Sequence, residues 1–163
     1  MGLTTLGIIH TAISLVAVFA GVVGFVRDLR INPKNRAGKT YIIMTVLTCL
    51  TGFGIYENGG FGAPHVLGII TLVVLWLAWK AGTTTMFGKA SGYIETVGYS
   101  ATFFFHMIPA LTETTTRLPS GAPLIASREA PELQAAVGVC FLLFLVGAFF
   151  QVRRLRRRLP WPT

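Results

Sequence analysis

Charge is what this sequence has least of. Only 12% of its 163 residues are Asp, Glu, Lys or Arg, against about a quarter in a soluble globular domain. A water-soluble globule is therefore not the expected form. Cysteine is scarce as well. Cys49 and Cys140 each fall inside an apolar stretch, and no CxxC spacing occurs, so neither a disulfide framework nor a thiolate metal site is predicted. HExxH, ExxH and closely paired histidines are also absent, and no reaction is named by a motif. The N-terminus lacks the basic region of a signal peptide, and its apolar run is too long for one, so this first segment is expected to stay in the mature chain. Leu6 stands where a myristoylation site needs Ser or Thr.

What is abundant is apolar surface: 53% of residues are hydrophobic, and mean hydropathy is +0.66. Five apolar stretches cover residues 3–26, 41–56, 61–79, 93–112 and 131–152, each near the ~20 residues that a helix needs to cross a bilayer. Pro33 and Gly38 break the chain after the first, and Pro119, Gly121 and Pro123 interrupt the loop before the fifth. The expectation is an all-α fold in one domain: a bundle of five transmembrane helices, four around a core and the fifth packed alongside.

The basic residues then orient it. Of the 14 Lys and Arg, only Arg117 and Arg128 fall on one side if all five stretches span. The rest occupy the first loop, the flanks of the third-to-fourth connector, and the tail. The positive-inside rule places the N-terminus outside and the C-terminus inside. Residues 113–130 become an outer loop and 153–163 a cytoplasmic tail, whose arginines suit anionic lipid headgroups. The same blockwise pattern explains the net charge of +8 without nucleic acid. The expected setting is the inner (plasma) membrane of a bacterium, as a multi-pass protein.

Function is sought where polarity intrudes on apolar sequence. In YIETVGYSATFFFHMIPALTE, Glu95, Tyr99, Thr102, His106 and Glu113 recur at helical spacing on one face. Ionisable groups are expensive in lipid, so that face must look into protein or water. A proton path along it is one reading; a snorkelling Glu95 is the plainer one. With the topology above, His10, His65 and His106 all fall in the outer half of the membrane, near Glu57 and Glu113. Imidazoles from facing helices can hold a b-type haem axially, His10 and His106 being best matched in depth. Alternatively His10, His65 and His106, with Glu57 or Glu113, provide ligands for Fe, Cu or Zn. The plainer alternative is that each histidine hydrogen-bonds across helices as structural glue.

His10 early in the first stretch and the basic loop leading into NRAGKTYIIMTVLTCLTG resemble small, uncharacterised bacterial multispanning membrane proteins with a b-type-cytochrome flavour. In those proteins the loop commonly reads His-Arg followed by Gly and an aromatic. Here the first of these positions is Asn35, so the ligand that the resemblance implies there is missing. The resemblance covers the first half of the chain. The functional expectation is a histidine/carboxylate site in the outer leaflet, binding haem b or a transition metal for electron transfer or redox chemistry. The alternative is a non-catalytic accessory or assembly subunit, meeting other subunits of a membrane complex or further copies of itself.

Overall fold

A computed structural model describes residues 4–56, 60–119 and 122–157. Among them the chain is all helical, with no strand: α1 (Thr5–Asp28), α2 (Arg36–Gly52), α3 (Ala63–Thr83), a 3-10 turn (Gly88–Ala90), α4 (Ser91–Arg117) and α5 (Pro131–Arg156). By length and composition α1, α3 and α5 are apolar enough to cross a membrane.

Local chemistry sets the helix ends. Thr4 starts α1 by accepting the Gly7 amide at 3.1 Å, and Asn35 starts α2 by accepting the Gly38 amide at 2.9 Å; each satisfies an amide that has no partner within its helix. Because of that cap, α2 begins inside the stretch that reads as a basic loop. α1 ends at Leu29, which adopts left-handed backbone (φ 58). α5 opens with Pro131 and Glu132 and closes on Arg153, Arg154 and Arg156, the polarity that complements a helix dipole. α4 is continuous through Pro109 and runs on to Arg117, into the stretch read as the outer loop, because hydrogen bonding continues after the apolar run has ended.

Contacts between helices give their directions. His10 near the start of α1 meets Thr51 near the end of α2. Gly98 of α4 lies against Ala78 of α3, and Ser100 of α4 bonds Gln151 of α5. These pairs are antiparallel. By contrast Tyr41 with Thr102 and Thr45 with His106 make α2 and α4 parallel. Odd-numbered helices therefore run one way and even-numbered ones the other. Among the described residues, every Lys and Arg except Arg117 and Arg128 gathers at one end of the bundle; this is the basic end. His10 and His65 lie towards the opposite end with Glu113, and His106 sits on the half of α4 leading to it. That is the histidine end.

α4 is the hub. Its Phe103 ring packs on Phe25 of α1 and Tyr41 of α2, and its Phe104 ring on Phe141 and Phe144 of α5. Two glycines make this approach possible. A Cβ at Gly21 would lie 2.5 Å from the Phe103 ring, and one at Gly98 would lie 2.9 Å from the Ala78 methyl. Both distances are below van der Waals contact, so small residues set the helix separation here. α5 lies alongside and leaves Leu142, Leu143, Val146, Phe149 and Phe150 exposed.

Candidate functional site

The polar stripe on α4 does turn inward. Tyr99 and Thr102 are fully buried and His106 nearly so. Tyr41 and Thr102 share a hydrogen bond of 2.8 Å. Thr102 Oγ1 also lies 2.8 Å from the Tyr99 carbonyl, so phenol, hydroxyl and carbonyl form one hydrogen-bonded chain. One turn further along, His106 Nε2 lies 3.1 Å from Thr45 Oγ1. Thr45 Oγ1 also lies 2.8 Å from the Tyr41 carbonyl of its own helix. With the hydrogen on Nε2 the ring donates to Thr45 and keeps its lone pair on Nδ1; in the other tautomer Nε2 accepts the Thr45 hydroxyl.

His10 pairs with a threonine in the same way. Its Nδ1 is 3.0 Å from Thr51 Oγ1, which also lies 2.8 Å from the Leu47 carbonyl and 3.1 Å from the Thr48 carbonyl. With the hydrogen on Nδ1 the ring donates to Thr51 and keeps its lone pair on Nε2; in the other tautomer Nδ1 accepts the hydroxyl. Its ring also abuts Gly52, where a Cβ would lie 3.2 Å from Cε1.

His65 behaves differently. It is the third residue of α3 and accepts the Gly62 amide on Nδ1 at 3.2 Å, reaching back over the helix start as a capping residue does. Its ring is stacked between Tyr56 and Phe61, with centroids 5.2 Å away on each side. With Nδ1 accepting, Nε2 carries the hydrogen, and that buried N–H has no partner among the described residues.

Of the two carboxylates grouped with the histidines from sequence, Glu57 lies outside the described residues. Glu113 forms ion pairs with Arg117, one turn on, and with Arg128 at 2.9 Å. Its side chain is half-exposed, and it joins the end of α4 to the loop before α5.

The fold thus brings His10, His65, His106 and Glu113 towards one half of the bundle but gives each its own partners. The threonines that hold His10 and His106 are six positions apart on α2. This is about 9 Å of helical rise and roughly 120° around the axis. Among the described residues no three His, Cys, Asp or Glu side chains form a group able to hold a metal ion. Cys49 is buried, Cys140 is half-buried, and both are free thiols.

Two functional partners are less visible in sequence. Gln151 is buried near the end of α5; its carbonyl accepts from Ser100 at 3.0 Å, and its amide donates to the Leu29 carbonyl at 3.0 Å. One side chain thereby ties α5 to α4 and to the corner after α1. The available signal is a lone glutamine in an otherwise apolar run, since polar side chains in such helices face the bundle. Asn35 caps α2 and also donates to Asp28 at 2.7 Å. No family model, no curated protein and no solved structure matches this chain.

Proposed function

We propose that the chain is a five-span protein of a bacterial plasma membrane, N-terminus outside and C-terminus inside. In this reading it serves as a non-catalytic accessory or assembly subunit whose buried polar groups fasten its own bundle. The observation that carries it is the hydrogen-bonding of His10 and His106. Each ring pairs with an α2 threonine whose hydroxyl also reaches its own helix backbone, and those threonines sit at different levels and faces of α2. Such bonds fasten α1 and α4 to α2. The collection of basic residues at one end supports the orientation.

The fastening role has a direct test. A double-mutant cycle between His106→Leu and Thr45→Val should give a coupling of about 0.6 kcal/mol, and no more than about 1.7 kcal/mol, as for interhelical bonds in other membrane bundles. Zero coupling would sink the reading. Topology is tested separately by placing a cysteine at Ser127 in a background lacking Cys49 and Cys140. It should be labelled from outside the cell, and labelling only from the cytoplasm would reverse the orientation.

A second reading keeps the histidines as ligands of haem b or of Fe, Cu or Zn in electron transfer, with Glu57 and Glu113 assisting. What favours it is that His10, His65 and His106 come from three helices, and that a threonine hydrogen bond holds one ring nitrogen of His10 and of His106. Outer hydrogen bonds orient metal-binding imidazoles in this way. An absorption spectrum with elemental analysis of the purified protein discriminates. A Soret band or stoichiometric metal, lost in both His10→Ala and His106→Ala, would replace the accessory reading with this one.

A further inference from the structure

At the basic end, the corner between α1 and α2 meets the start of α4 and the end of α5 around a cavity of about 210 Å³. A single water needs only about 10–15 Å³, so there is room for a larger polar group. The walls include Arg27, Arg30, Arg154, Asp28, Thr96 and Gln151. Three guanidiniums face one carboxylate, leaving the cavity with excess positive charge. Its frame is built by tertiary contacts: Gln151 binds the Leu29 carbonyl at 3.0 Å, and Arg154 binds the Asp28 carbonyl at 3.3 Å. Arg27 is held against Asp28 at 3.0 Å.

The inner wall supplies an independent sign of a ligand. Thr96 is 2% exposed, and its hydroxyl has no hydrogen-bond partner among the described residues. A buried hydroxyl without a partner costs about 1–3 kcal/mol, whereas threonines elsewhere in the helices, such as Thr45 and Thr71, donate to their own helix backbone. A donor beside a cluster of guanidiniums suits an oxyanion able to accept several hydrogen bonds.

We propose that this cavity binds a phosphate group, supplied by an anionic phospholipid headgroup at the membrane surface. Arg30 and Arg154 provide the charge, Thr96 Oγ1 donates from the inner wall, and Asp28 holds Arg27 in place. The cavity lies where the helices end and arginines concentrate, the level at which a headgroup meets a bundle. The five-span reading is needed only to assign the leaflet; binding itself concerns three helix ends of one bundle. This site differs from surface attraction by the tail, because Arg156 is not among the residues of the cavity wall.

The test is native mass spectrometry of the full chain in detergent, titrated with phosphatidylglycerol, with phosphatidylcholine or with inorganic phosphate. Phosphatidylglycerol should be retained over phosphatidylcholine. Arg30→Gln should weaken retention about fivefold, the effect of one basic residue near an anionic surface. Thr96→Val, which removes the hydroxyl at nearly constant volume, should also weaken it, while Arg156→Gln should change it less than about twofold. If inorganic phosphate binds with the same dependence on Arg30 and Thr96 but phosphatidylglycerol does not, the lipid source is overturned. If Arg30→Gln and Thr96→Val both retain wild-type preference, or if Arg156→Gln weakens binding equally, the cavity is not the site.

Discussion

α4 and α5 are of nearly equal length, 27 and 26 residues, and they are opposites in every other respect. α5 holds the more hydrophobic stretch, with a mean hydropathy of 2.4, yet it buries only Leu133 and Gln151 in the bundle. α4 carries Glu95, Thr96, Tyr99, Ser100, Thr102 and His106, and is the helix on which others pack. In water the more apolar helix would be the buried one. In a bilayer the solvent is itself apolar, so burying leucine within protein gains little, while burying a hydroxyl or an imidazole with a partner avoids a large cost. Hydropathy therefore marks the outward-facing α5 of this bundle, and polarity marks its central α4.

The sharpest attempt to break this contrast is a charge on α5. Leu143 is 66% exposed near the middle of that helix, and Leu143→Arg should cost about 2.5–3.5 kcal/mol of insertion. The readout is the inserted fraction of α5 in a membrane-integration assay. Unchanged insertion would mean that this face meets water or a polar partner instead of lipid.

Overfilling the hub should come next. Gly21→Leu forces a side chain into the Phe103 ring and should destabilise the protein by about 1–3 kcal/mol, measured by unfolding in detergent. The same change at Gly147, whose Cβ position has nothing within 4 Å, should have little effect. Equal losses at the two positions would remove the distinction between hub and periphery.

A smaller effect is expected from the one polar side chain that α5 buries against α4. Gln151→Leu loses its bonds to Ser100 and Leu29 and should cost about 0.6–1.7 kcal/mol. Cysteine cross-linking between α4 and α5 would show whether the last helix loosens. The smallest change is predicted for Leu143→Val, about 0.5 kcal/mol or less, because the side chain touches little of the bundle.

Much of this fold is legible along the chain. The five apolar stretches correspond to the five helices, and the periodicity from Glu95 to His106 identifies the inward face of α4, because a helix returns to the same side every 3.6 residues. The small residues Ala17, Gly21 and Gly24 similarly mark the buried side of α1. Boundaries are less legible. α2 begins at Arg36 through an asparagine cap, and α4 continues past its apolar run to Arg117; hydropathy reports the solvent around a helix and not the hydrogen bonds that end it.

The candidate site divides in the same way. The sequence by itself determined that His10, His65 and His106 belong to three helices and that their helix positions point them towards one half of the bundle. Helical rise and alternating direction suffice for that. Only the tertiary structure decided what each ring meets: Thr51 for His10, Thr45 for His106, and for His65 the amide of its own helix start between two aromatic rings. Those partners depend on the rotation of each helix about its axis. That rotation is set by Gly21 against Phe103, Gly98 against Ala78, and Tyr41 against Thr102. The local pattern marks the inward face of a helix, and contacts between residues far apart in the chain fix the angle within that face finely enough to choose a partner.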